Sequence, residues 1–73
     1  MYLKRLRELR EDNDLKQINI ANILKMKQPQ YARYEKGTRD LPLDCLIKLA
    51  KFYNTTTDYI LGITNKKKEY PKE

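Results

Sequence analysis

Apolar residues in this chain recur at intervals of three and four from one end to the other, and no alternating pattern lasts for more than a few residues. Such spacing buries one face of each helical segment and offers nothing to a sheet, so the expected fold class is all-α. The 73 residues leave room for one core only. Leu3, Leu6 and Leu9 predict a first helix over 2–12. Its end falls at Asn13 and Asp14, residue types that tolerate a left-handed backbone. A second helix fits 17–24, with Ile20, Ala21 and Leu24 on one face. The third begins near Gln28, where Pro29 is harmless because a first-turn N–H has no intrahelical acceptor. Gly37 stops it. Pro42 opens a fourth helix, whose buried stripe is Leu46, Leu49, Ala50 and Tyr53. Thr56 caps a fifth over 57–61, Asp58 suits its first turn, and Gly62 closes it. Residues 1–64 therefore read as one compact five-helix domain, and 65–73 as a basic, flexible tail without apolar period.

Composition narrows the chemistry. The chain has no His, no Ser and no Trp, and Cys45 is its one cysteine. Ser–His and Cys–His nucleophilic pairs, His-bearing zinc sites and internal disulfides are thereby excluded, and no enzyme activity, metal or cofactor is expected. A lone thiol, no signal peptide and apolar runs of two or three residues suit a cytoplasmic protein that does not enter a membrane. The net charge is +6, and its placement matters more than its sum. Residues 1–15 cancel to zero, 40–64 carry −1 and the last nine carry +2. Residues 16–39 hold +5, from Lys16, Lys25, Lys27, Arg33, Lys36 and Arg39 against Glu35 alone. A partner made of phosphates follows, and a solvated basic face without a ligand is the bland alternative.

Helices two and three are separated by little more than Lys25 and Met26. So tight a joint needs a small residue where the helices cross, which Ala21 supplies. Apolar residues must flank it, and Ile20, Leu24, Met26, Tyr31 and Tyr34 do so. This is a helix-turn-helix arrangement, which in DNA-binding proteins lays the second helix of the pair in the major groove and which also occurs in helical proteins that touch no DNA. At 100° per residue, with Tyr31 at the centre of the buried side, Tyr34 and Glu35 lie within about 60° of it. Pro29, Ala32, Arg33 and Lys36 point the other way, with Gln28 exposed in the first turn and Gln30 on the flank. Gln suits adenine N6 and N7, Arg suits guanine O6 and N7, and Ala32 suits a thymine methyl. No carboxylate interrupts that face.

These residues resemble the lambda Cro/CI-type helix-turn-helix family, also called Xre, of phage and bacterial repressors. The resemblance runs from Leu3 to Gly62. It is carried by Leu6-Arg7-Glu8-Leu9-Arg10, Gln17 with Ile20-Ala21 and Leu24, Tyr34-Glu35-Lys36-Gly37, Pro42 with Leu46, Leu49 and Ala50, and Asp58-Tyr59-Ile60-Leu61-Gly62. It implies that Gln17 holds a phosphate oxygen through its side chain and backbone N–H. It also implies that Lys27, Gln28, Pro29 and Arg33 read bases or line the groove, that Lys36 and Arg39 meet the sugar–phosphate backbone, and that Arg10 and Glu35 form an internal salt bridge. Three positions depart from the family. Lys25 and Asp14 stand where Gly is usual, and Pro29 replaces a frequent hydrogen-bond donor, shifting base readout toward Gln28, Gln30 and Arg33.

The expected function is a sequence-specific regulator of transcription, a repressor, binding double-stranded DNA as a homodimer on a palindrome with half-sites about 34 Å apart. Tyr59, Ile60 and Ile63 are the apolar candidates for the dimer contact. An antitoxin-like or adaptor subunit with a protein partner is the main competitor, and an RNA- or ribosome-associated factor a third reading. Tyr31, Tyr34 and Tyr53 are read as core, Tyr2, Tyr59 and Tyr70 as outer residues, and Cys45 as a small packing residue. The lysines at 66–68 are read as solubilising, or as a floating source of phosphate contacts. Gln17 is a poor helix cap, which favours a role outside the core.

Overall fold

The computed structural model describes residues 1–72. Glu73, the end of the expected tail, lies outside the described residues. The described residues form five helices, α1 (Lys4–Asp12), α2 (Gln17–Ile23), α3 (Gln28–Lys36), α4 (Leu43–Phe52) and α5 (Thr57–Leu61), and contain no strand. Four of the expected spans agree closely with these. The first does not begin where the leucine spacing puts it, because Leu3 is extended (φ −116°, ψ 94°) and Tyr2 precedes the helix. Leu3 is nonetheless buried, so the periodicity marks core residues and not the helix boundary.

α1 packs against both α3 and α5, α2 packs on α3, and α4 packs on α5. Leu6, Leu9, Ile20, Ala21, Tyr31, Leu49, Ala50 and Ile60 are almost wholly removed from water between them. Tyr34, Tyr53 and Cys45 join this core, as their spacing predicts. Ile60 is only 1% exposed, so it belongs to the core and not to a dimer surface. Among the described residues, no helix is long and apolar enough to cross a membrane.

All five helices end in the same way. In each, a residue just past the last turn turns left-handed. Its N–H bonds to the carbonyl three residues back, and the next N–H bonds to the carbonyl five back. The five left-handed residues are Asp14 (φ 55°), Lys25 (φ 56°), Gly37 (φ 84°), Asn54 (φ 51°) and Gly62 (φ 80°). The paired bonds are Asp14→Glu11 with Leu15→Arg10, Lys25→Asn22 with Met26→Ala21, Gly37→Tyr34 with Thr38→Arg33, Asn54→Lys51 with Thr55→Ala50, and Gly62→Tyr59 with Ile63→Asp58. These bonds satisfy carbonyls that a helix end leaves unpaired, and they turn the chain sharply toward the next element. Five short helices can thus be packed into 72 residues with connections of four to six. At the start of α5, Thr56 Oγ1 accepts from the Tyr59 N–H at 3.0 Å, as the sequence predicts.

Arg5 is buried, which no spacing rule anticipates for an arginine. Its guanidinium donates to the carbonyls of Tyr59 (2.6 Å) and Thr64 and to Asn65 Oδ1 (2.7 Å), and it lies 3.9 Å above the Tyr59 ring. α5 has five residues, too few to persist on its own, and this one side chain ties its last turn to α1. Tyr59 is therefore half-buried beneath Arg5, where the sequence alone places it outside. Residues beyond Asn65 form no helix, yet the Tyr70 N–H donates to Asn54 Oδ1 at 3.1 Å and its ring packs on the core, 5.6 Å from Lys51 Nζ.

Two outcomes follow for denaturant unfolding. Lys25→Gly removes the strain of a left-handed lysine and raises stability by up to about 1 kcal/mol. Arg5→Ala removes the charged donor from two partly buried carbonyls and lowers stability by about 1.5–3 kcal/mol, seen as a lower midpoint.

Candidate nucleic-acid interface

Leu24 caps α2, Lys25 turns the chain, and Lys27 (ψ 150°) already enters α3 in extended form. Ala21 is wholly buried where the two helices meet, as the tight joint requires. Pro29 occupies the first turn of α3. The Gln30 and Tyr31 N–H groups bond back to the Lys27 carbonyl, at 3.1 and 3.2 Å.

α3 buries Tyr31, Tyr34 and Glu35, the three residues that helical geometry assigns to its inner side. Pro29, Gln30, Arg33 and Lys36 are exposed, as are Lys27 before the helix and Arg39 after it. Ala32 and Gln28 are half-buried, so Gln28 is less free than its first-turn position suggests. No carboxylate of α3 reaches the outer surface, because Glu35 faces inward.

The inward side carries a continuous chain of polar bonds. Arg10 donates from Nε to Glu35 Oε2 at 2.7 Å and from Nη2 to Oε1 at 3.0 Å. Its remaining Nη1 donates to the Leu15 carbonyl at 2.9 Å, fixing the turn between α1 and α2. Gln17 Nε2 donates to Glu35 Oε1 at 3.1 Å, and Gln17 Oε1 accepts from Gln28 Nε2 at 2.7 Å. Gln17 thus has a structural role that a poor cap did not reveal: it connects the buried ion pair to the first turn of α3. Gln17 and Gln28 are eleven positions apart, and no periodic signal in the sequence links them. On the flank, Gln30 Nε2 donates to Tyr34 Oη at 3.3 Å.

The Glu35 side chain is only 4% exposed, and burial alone would raise its pKa. Hydrogen bonds from Arg10 and Gln17, with the Tyr31 hydroxyl close by, outweigh this and hold it below the ordinary 4.5 of a glutamate. The bond to Glu35 pushes the Arg10 pKa upward. Tyr31 Oη is buried against the same carboxylate without a bond of regular geometry; burial, and then Glu35, push its pKa up. The pair is therefore ionised and the phenol neutral across the useful pH range.

This geometry defines a helix-turn-helix unit with its second helix presented outward. The family model described as helix-turn-helix matches residues 6–60, and the chain belongs to that family, of the lambda Cro/CI (Xre) type. Its relatives include the uncharacterised HTH-type transcriptional regulator YobD of Bacillus subtilis (strain 168), 38% identical over 89% of this chain and 58% of the relative. The cryptic phage CTXphi transcriptional repressor RstR of Vibrio cholerae is 42% identical over 73% of this chain and 48% of its own. The HTH-type transcriptional regulator ImmR of Bacillus subtilis (strain 168) is 39% identical over 81% and 46%. The chain spans about half the length of these curated relatives. No solved structure matches it.

Because Glu35 titrates lower in the folded chain than unfolded, the stability it contributes is present above about pH 4.5 and is lost as the pH falls through its folded value. Thermal midpoints of the wild type should decline on acidification below that point, and those of Glu35→Gln should decline less. At neutral pH Glu35→Gln strands Arg10 and costs about 3–5 kcal/mol, most of which the apolar double substitution Arg10→Met with Glu35→Leu recovers.

Proposed function

We propose that this domain is a sequence-specific, double-stranded DNA-binding regulator of transcription, a repressor, acting as a homodimer on a palindromic operator. The observation that carries this reading is the outer face of α3, where Arg33, Gln28 and Gln30 stand among lysines with no carboxylate between them. Nine residues at 1.5 Å make a rod about 13 Å long, which a major groove about 12 Å wide accepts. Arg33 reads guanine. Gln28 keeps Oε1 and one amide hydrogen for adenine while Gln17 holds its other hydrogen, so the base-reading amide is oriented before DNA arrives.

Lys36 and Arg39 meet phosphates beyond the end of α3, Lys27 lines the groove at its start, and Gln17 meets a phosphate beside α2. Ala32 and Pro29 complete the apolar part of the contact. One such domain covers too little DNA to be selective at cellular salt, which favours a dimer. Of the apolar residues expected at its interface, Ile63 is bare (71% exposed), and Leu43 at the start of α4 is equally so (70%). The same two residues would serve an adaptor whose main partner is a protein, if they stay uncovered in a DNA-bound dimer. The role places the chain in a bacterial cytoplasm, on host or phage DNA.

The reading is tested by gel shift on the DNA upstream of its own gene, at two salt concentrations and against random competitor. Arg33→Ala should lose about 1–3 kcal/mol of specific binding with little change in non-specific binding, whereas Gln17→Ala should weaken both. Wild-type behaviour of both variants would refute these roles.

A further inference from the structure

The segment after α5 has no place in the reading above, yet the fold fixes it at two points. Where it leaves α5, Arg5 of α1 holds it by the Thr64 carbonyl and Asn65 Oδ1. Further on, the Tyr70 N–H donates to Asn54 Oδ1 at 3.1 Å, just past the end of α4. The Tyr70 ring packs against the core and lies 5.6 Å from Lys51 Nζ. Residues 65–70 therefore pass from the α1 side of α5 to its α4 side, as a strap. Tyr70 and Pro71 come to rest opposite Ile47 of α4 and Thr57 and Asp58 of α5, across a recess of about 340 Å³.

The same two helices leave apolar side chains uncovered. Leu43 stands one turn before Ile47 on α4, on the same face, and Ile63 follows α5 directly; both are exposed. Charges of both signs stand among them. Asp44 and Lys48 on α4 and Asp58 on α5 are exposed and have no ion-pair partner among the described residues. An apolar row flanked by unpaired charges of both signs complements itself when a second copy is turned about a two-fold axis. The strap is held there only lightly, by one hydrogen bond to an exposed asparagine and by one half-buried ring beside a lysine. Its own Lys66, Lys67 and Lys68 have no ion-pair partner among the described residues and do not add to its hold.

We infer that residues 65–72 form an autoinhibitory strap: docked through Tyr70, it covers Ile47 and the start of α5, and so competes with a second copy of this chain for the α4–α5 face. The inference rests on the homodimer reading. A strap that closes and opens reduces association by the fraction of molecules that are open. Both copies must open for a symmetric contact, so the effect enters as a square. A strap closed about three-quarters of the time weakens self-association about sixteenfold.

The experiment uses the whole chain without DNA, as wild type, Asn54→Gly, Tyr70→Ala and the ring-preserving control Tyr70→Phe. Asn54 is left-handed at φ 51°, so glycine there removes the acceptor of the strap while suiting the helix end. Self-association is measured by sedimentation equilibrium, and closure by amide hydrogen exchange at residue 70 in dilute protein. The wild-type amide should exchange about fourfold more slowly than in an unfolded chain, and Asn54→Gly and Tyr70→Ala should lose that protection. Both variants should dimerise about five- to fifteenfold more tightly than the wild type, and Tyr70→Phe should match the wild type in both measurements. Variants that lose the protection but dimerise no more tightly overturn the inference and leave the homodimer reading standing. So does a wild-type amide at residue 70 without protection, or protection kept by both variants. Absence of any dimer at millimolar concentration, in wild type and variants alike, overturns both.

Discussion

The ion pair between Arg10 and Glu35 is the contact on which the arrangement of the other parts depends. It joins the helix at the centre of the fold to the inner side of the helix presented outward. The Glu35 carboxylate is almost wholly removed from water and Arg10 is mostly covered, and each is compensated by geometry: two parallel N–H···O bonds within the pair, a third to the Leu15 carbonyl and a fourth from Gln17. A buried pair of this kind adds little net stability relative to an apolar substitute, but it penalises any packing that separates the partners. It thereby fixes the rotation of α3 about its own axis, and so which side chains face outward.

From that pair the bonding continues through Gln17 to Gln28, linking α1, α2 and the first turn of α3. Each bond restricts a side chain that would otherwise sample many rotamers, which lowers the entropy lost when a ligand is bound. Rigidity comes also from the connections. Five helix ends with a left-handed residue and paired back-bonds leave little slack, and three of those residues are not glycine. The strain at Asp14, Lys25 and Asn54 is outweighed by the core that these turns bring together.

Much of this was legible in the sequence. The apolar spacing located all five helices, and Gly37, Gly62, Pro29, Pro42 and Thr56 marked their limits through local backbone chemistry. The face of α3 followed from 100° per residue, and its inner residues are the ones expected. The Arg10–Glu35 pair came from family resemblance and is present. Reading failed where a contact joins residues far apart in the chain. Arg5 looks like any surface arginine until α5 is packed against α1. Ile60 looks as suitable for an interface as Ile63 until its burial is known, and Gln17 looks unattached until α3 is in place.

The sequence by itself determined the helical class, the number of helices, the concentration of positive charge between residues 16 and 39, and the identity of the inward side chains of α3, because each is set by local periodicity or by a single backbone preference. Only the tertiary structure decided that Gln28 is held by Gln17, that Arg5 closes α5, and that Tyr70 is tied to Asn54. These are pairings between elements, and their energies depend on distances and on burial that no one-dimensional pattern encodes.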